Sequence, residues 1–178
     1  MQQRWVFGYG SLMWRPGFEF ISQAPARIRG FHRSLCVYSL HHRGTEEVPG
    51  LVLGLDRGGS CIGVAFRIEP AKWEATLAYL REREQVSRVY LETVRNVEIL
   101  GQRRKVEAVL FIVDRAHPQY AGKLSHPELM KHVVQGEGKM GHCRDYVMNT
   151  LEHLRQMNIH DKTLDAIGAE LGSSGRQT

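Results

Sequence analysis

The chain is short of the features that would assign it to several common protein classes. Its three cysteines, Cys36, Cys61 and Cys143, are odd in number, far apart and form no C-x-x-C pair, which excludes a disulfide framework and a zinc ribbon. No apolar run approaches the length needed to span a bilayer, and the opening MQQRWVFGYG lacks the apolar core and small-residue cleavage site of a secretion signal. A cytoplasmic protein with no membrane partner is therefore expected. Internal repeats and low-complexity stretches are also lacking. A formal charge of +5 suggests an anionic partner, but Lys and Arg are interleaved with Glu and Asp and form no basic run. Nucleic acid is therefore not expected, and a small anionic metabolite fits the charge as well.

Catalytic motifs are missing too. The segment WVFGYGSLMW, Trp5–Trp14, has two glycines, but a dinucleotide fingerprint needs a third where Met13 stands. A P-loop needs Gly-Lys-Ser/Thr, which is absent. A serine-hydrolase elbow needs glycines where Tyr9 and Met13 flank Ser11, so Ser11 is not expected to be a nucleophile. Nine histidines invite a metal reading, but His126 and His132 would face different sides of a helix, and His41 and His42 opposite faces of a strand. No metal is expected. The cysteines are expected to be small buried hydrophobes, with only Cys143 beside a cation, Arg144.

What is present is enough for one α+β domain over residues 1–172, with 173–178 as a disordered tail. Strand patterns occur at Arg4–Phe7, Arg33–Leu40, Leu51–Leu55 and Cys61–Ile68, the last two joined by a hairpin-like turn, DRGGS at Asp56–Ser60. Pro70 opens a helix running to Glu84. Two strands, Tyr90–Ile99 and Val106–Val113, flank the turn-like LGQRRK. The remainder reads as helices: Ser125 and Glu128 make a capping-box pattern, Arg144–Gln156 has helical apolar spacing, and Leu164, Ile167 and Leu171 mark a last helix.

Helical winding singles out one carboxylate. At about 100° per residue, Trp73, Leu77, Leu80 and Glu84 share a stripe, whereas Glu82 points the opposite way. A carboxylate directed at an apolar interior loses hydration, so its pKa rises and its ionised form becomes a stronger base. Geometry alone leaves open a general base, a helix that has already ended by Glu84, or a structural ion pair with Arg83 or Arg88. Gly8 and Gly10 admit two readings. They allow positive φ and a concave nest of N–H groups for an anion, or they form an ordinary strand-to-turn connection.

The segments FGYGSLMW, HHRGT (His41–Thr45), GVAFR (Gly63–Arg67), YLREREQVSRVY (Tyr79–Tyr90) and GKMGHCRDY (Gly138–Tyr146) together resemble the ChaC-type γ-glutamylcyclotransferases, in order and over nearly the whole chain. The resemblance implies a γ-glutamylcyclotransferase-like fold, a small mixed β-barrel or sheet with packed helices. It implies release of 5-oxoproline from a γ-glutamyl peptide, with glutathione the usual substrate and cysteinylglycine the other product. It also implies that Gly8, Tyr9, Gly10, Ser11, Leu12 and Met13 hold the γ-glutamyl end and that Glu84 is the base. Arg43 would pair with the glycine carboxylate, and Tyr90 and Tyr146 would donate hydroxyls. No cofactor is implied, because the substrate's own amine is the nucleophile. Two departures stand out: the family often has Asn where Cys143 stands, and a glycine near Arg88. The alternatives are a cyclotransferase for another γ-glutamyl amine or peptide, and a non-catalytic metabolite-binding module. A second negative charge at Glu84 would be a disadvantage in a pocket that only binds carboxylates.

Overall fold

The computed structural model describes residues 4–84 and 86–174. The chain divides into two compact units, Met1–Arg33 with Gly54–His117, and Ser34–Leu53 with Pro118–Thr178.

The first unit contains the closed barrel. Its strands are β1 (Arg4–Gly8), β2 (Ser22–Ser39), β3 (Gly50–Ile68), β4 (Tyr90–Ile99) and β5 (Arg104–Val113), in the order β1-β3-β2-β4-β5. The unit boundary falls within β2 and within β3. β1 runs antiparallel to β3, from Arg4 opposite Ile68 to Gly8 opposite Val64, and parallel to β5 at Trp5–Ala108 and Val6–Val109. β1 reads as an unbroken apolar run because Trp5, Val6 and Phe7, which point to alternate faces, are all buried. β4 and β5 form the expected hairpin, with Tyr90 opposite Val113 and Ile99 opposite Arg104. Phe7, Ile28, Leu55, Phe66, Ile68, Ile99 and Leu110 are among its fully buried side chains.

Two expectations about these strands are corrected. Asp56–Ser60 is not a hairpin turn, because β3 continues through it as one strand. Gly58 (φ 105°) and Gly59 (φ 67°) bend the strand without reversing it, and His32 of β2 bonds through Nδ1 to the Gly58 carbonyl at 2.9 Å. β2 also starts well before Arg33, at Ser22, with Ala26 and Ile28 buried between the less buried Pro25, Arg27 and Arg29. A short 3-10 turn, Pro70–Lys72, leads into α1 (Trp73–Glu84), as the proline predicts.

In the second unit lie α2 (His126–Gln135), a two-residue-per-strand hairpin of β6 (Glu137–Gly138) and β7 (Gly141–His142), α3 (Cys143–Gln156) and α4 (Lys162–Ser174). Both halves of the capping box form: Ser125 accepts from the Glu128 N–H, and Glu128 accepts from the Ser125 N–H at 2.7 Å. Leu129 and Val133 of α2, Val147, Leu151 and Leu154 of α3, and Leu164, Ile167 and Leu171 of α4 are buried at the predicted spacing. α4 extends through Ser173 and Ser174, so the first two residues of the expected tail are helical; 175–178 lie outside the described residues. Among the described residues no helix is long and apolar enough to cross a membrane.

Candidate active site

The chain leaves β1 at Gly8 and closes a single 3-10 turn over Ser11–Met13. Met13 N–H bonds to the Gly10 carbonyl at 2.9 Å, and Arg15 N–H to the Ser11 carbonyl at 2.8 Å. As at any helical start, the first-turn N–H groups of Ser11 and Leu12 have no backbone acceptor among the described residues. Leu12, Met13 and Tyr9 are buried and anchor the segment, while Ser11 is exposed. From below, the buried Arg33 donates through Nε to the Tyr9 carbonyl at 2.6 Å and through Nη2 to the Ile62 carbonyl at 2.7 Å.

Of the two readings of this loop's glycines, the structure shows the strand-to-turn connection. Neither Gly8 nor Gly10 is left-handed, and Gly10 sits at φ −129°, so the donors belong to an open helical turn and not to a positive-φ nest. Gly8 answers to close approach instead: a Cβ there would lie 2.9 Å from Leu12 Cβ.

Helix α1 ends on Glu84, and the predicted stripe is realised. Leu77 and Leu80 are buried, Trp73 is half-buried beneath the Arg4 guanidinium, Glu82 is exposed, and the Glu84 side chain is only 18% exposed. Burial pushes the Glu84 carboxyl above the ordinary glutamate range, and the positive charge of Arg83 pulls against that shift. Arg83 Nε lies 3.4 Å from Glu84 Oε1, so the ion pair and the desolvated carboxylate occur together.

Arg83 also joins α1 to the glycine loop. Its Nη2 donates to Ser11 Oγ at 2.8 Å, and its Nη1 donates to the Arg15 carbonyl at 2.8 Å and to the Tyr79 hydroxyl at 3.1 Å. Tyr79 in turn packs edge-on against Phe18 and fills the space a side chain at Gly17 (φ 73°) would need. The structure thus brings together the Gly8–Met13 loop and the end of α1 that carries Glu84. Tyr90, half-buried at the start of β4, is not among the groups Arg83 joins.

Sequence reasoning missed Arg33 and Arg83 as supports of the loop. The signal for Arg33 was a charged residue heading an apolar strand. For Arg83 it was the position next to Glu84, which suggested only an ion-pair partner.

Arg43 and Tyr146 belong to the second unit, where they meet. The Arg43 guanidinium lies 5.5 Å from the Tyr146 ring centre, and its Nη1 donates to the His142 carbonyl at 3.2 Å. The Tyr146 hydroxyl accepts from the Leu53 N–H at 3.1 Å. Cys143 Sγ accepts from the Leu51 N–H at 3.3 Å and donates to the Leu51 carbonyl at 3.1 Å, the donor-plus-acceptor pairing a side-chain amide would make. Burial pushes its thiol up, against the opposing influence of the Leu51 bond and Arg43, which suits packing and not nucleophilic attack. A recess of about 480 Å³ in this unit is lined by Glu46, Glu47 and Glu137 with His41 and Lys139, a set that disfavours an anionic ligand. Among the described residues no group of three His, Cys, Asp or Glu could hold a metal ion.

The profile of the ChaC-like protein family matches residues 4–173. The chain is 33% identical over 161 residues to the glutathione-specific γ-glutamylcyclotransferase of Escherichia coli K12, covering 90% of this chain and 69% of that one. It is 32% identical to glutathione-specific γ-glutamylcyclotransferase 1 of Danio rerio, covering 94% of this chain and 88% of that one. A crystal structure of a glutathione-specific γ-glutamyl cyclotransferase from yeast matches its fold with a TM-score of 0.85 at 22% identity, over 97% of each chain.

Proposed function

The chain belongs to the ChaC-like family, and we propose that it is a γ-glutamylcyclotransferase that converts glutathione to 5-oxoproline and cysteinylglycine. In this reaction the α-amino nitrogen of the substrate attacks its own γ-amide carbonyl. A C–N bond closes the five-membered ring, and the bond to the cysteinyl nitrogen breaks. The nucleophile and the leaving group are both supplied by the substrate, so the protein's tasks are positioning and proton transfer.

An ammonium has no lone pair with which to attack. Glu84 takes a proton from it and then delivers that proton to the departing amine, acting as base and then as acid. Partial burial suits both halves of this cycle, since it brings the carboxyl's proton affinity nearer to neutral pH. The first-turn N–H groups of Ser11 and Leu12 hold the α-carboxylate, within a segment whose shape is fixed by Gly8, Tyr9, Gly10 and Met13. In the second unit Arg43, stacked on Tyr146, is the proposed partner of the glycine carboxylate. Tyr90 is proposed as a hydroxyl donor. Three buried thiols suit a reducing compartment, and the cytoplasm is the proposed location.

The observation that carries this reading is the junction at Arg83: one side chain contacts both the Glu84 carboxylate and the Ser11 loop. The test is product analysis on glutathione. Glu84→Gln should fold normally and lose on the order of 1,000-fold in 5-oxoproline release. Wild-type turnover in that variant would remove the base. A panel of γ-glutamyl dipeptides and γ-glutamylamines separates glutathione from other substrates of the same reaction.

A further inference from the structure

Arg83 makes more contacts than an ion pair with Glu84 requires. It sits in the last turn of α1, yet its guanidinium extends across four acceptors on a different segment and on its own helix: Ser11 Oγ, the carbonyls of Arg15 and Pro16, and the Tyr79 hydroxyl. Only its Nε edge faces Glu84. A planar fork of this kind fixes direction as well as distance, which a lysine ammonium cannot do.

Other charged groups nearby are occupied or turned outward. Arg81 is held bidentately by Glu92 of β4 at 2.7 and 2.9 Å, Glu82 is exposed, and Arg15 is exposed with its backbone carbonyl toward Arg83. Among the described residues Arg83 is thus the charged group in contact with the Glu84 carboxylate.

We propose that Arg83 is a positioning residue for ring closure: a single guanidinium sets both the Ser11–Pro16 backbone that holds the substrate and the place of the carboxylate that deprotonates it. This rests on the assignment of Glu84 as base and deepens it. The consequence is mechanical coupling. Arg83 ties the loop directly to the carboxylate, so substrate amine and base stay in register.

The same guanidinium has an electrostatic consequence of opposite sign to burial. Removing its charge leaves desolvation unopposed, so Glu84 would hold its proton to higher pH. The active form of a base is the deprotonated one, so the acid limb of kcat/KM should move upward.

The experiment uses the full chain with glutathione, measuring kcat and KM against pH for wild type, Arg83→Met, Arg83→Lys and Glu84→Gln. Arg83→Met should lose about 100-fold in kcat/KM, the order expected for misplaced reacting groups, and its acid limb should move to higher pH. Arg83→Lys should keep the acid limb near wild type but lose about 10-fold, since charge survives and the fork does not. A purely structural arginine would lower thermal stability without moving the limb. Wild-type kcat/KM and limb in both Arg83 variants, with Glu84→Gln inactive, would overturn this proposal alone. An active Glu84→Gln would overturn the reading beneath it. Should Arg83→Met fail to fold, Arg83→Lys decides: kcat/KM lowered about 10-fold at wild-type Tm supports positioning, and wild-type kcat/KM, or a loss that only follows a fall in Tm, refutes it.

Discussion

In the first unit the loop from Gly8 to Gly17 is clamped by two arginine side chains, whereas in the second the run from His41 to Gly50 adds, to side-chain bonds from Ser39 and His132, main chain packed directly on main chain. Arg33 and Arg83 hold the first loop through its carbonyls and the Ser11 hydroxyl. In the second, a Cβ on Gly136 would lie 2.6 Å from both the Arg43 carbonyl and the Gly50 Cα, and one on Gly138 would lie 2.5 Å from the His41 carbonyl. The N–H groups of Lys139 and Met140 bond to the carbonyls of His41 and His42 at 2.8 and 2.9 Å, completing this close-packed arrangement. Both loops carry motif glycines that allow close approach, of the Leu12 side chain at Gly8 in the first and of main chain to main chain in the second. A side-chain clamp leaves amide donors open for a ligand, and a backbone seam uses them internally.

Gly136→Ala should break the second arrangement and have a large effect. Its φ of −69° suits any residue, so the obstacle is steric alone, and the atoms in the way are backbone that cannot swing aside. A loss of about 3 kcal/mol or more is expected, seen as a large fall in Tm. Gly122→Ala is the control, with positive φ but open space around it, and should cost only about 1 kcal/mol. Equal effects from the two would mean that close approach is not what Gly136 provides.

Gly8→Ala probes the first arrangement. The clash is with Leu12 Cβ, which can yield by a small shift of the loop, so about 1–2 kcal/mol is expected. Such a shift displaces the Ser11 and Leu12 donors, and kcat/KM should fall by about 10-fold or more. Activity lost out of proportion to stability would mark this loop as the functional one. The reverse pattern would make it a mere packing element.

Glu84 adds a trade-off between stability and activity to the first unit. Its folded-state pKa is raised above the ordinary value of 4.5, chiefly by burial. A group with a raised folded pKa stabilises the fold fully below its unfolded pKa and loses that contribution as pH rises through the folded pKa. Glu84→Gln removes the ionisation, so the variant should be more stable than wild type at neutral and alkaline pH. The gap should close as pH falls below 4.5. Denaturant unfolding at several pH values measures this, and a variant less stable than wild type at pH 8 would show that the ion pair with Arg83 outweighs desolvation.

The sequence was legible where one local rule settled the outcome. Winding alone put Glu84 on the stripe of Leu77 and Leu80 and sent Glu82 to solvent, because a helix fixes side-chain direction to within a fraction of a turn. Ser125 and Glu128 found each other because a capping box is local. Gly58 and Gly59 misled, since adjacent glycines serve a hairpin turn and an in-strand bend equally well and only the partner strand distinguishes them. The reach of Arg83 to Ser11 was beyond any periodicity, because 72 residues of chain separate the two.

Arg88 inverts the theme of both loops. It follows α1 by a few residues with φ 56°, a left-handed conformation that glycine adopts freely and a side chain does not. Its side chain is exposed, so little packing would go with it. Arg88→Gly relieves strain of about 1–2 kcal/mol, and the added freedom of the unfolded chain offsets roughly 0.4–1 kcal/mol of that. A net gain of about 0.5 kcal/mol should raise Tm by about 1–2 °C in a chain of this size. This is the smallest effect anticipated, and its sign carries the information. A fall in Tm would mean that Arg88 makes a contact worth more than the strain it holds, and the segment beyond Glu84 would then be braced by a side chain like the loop Arg83 clamps.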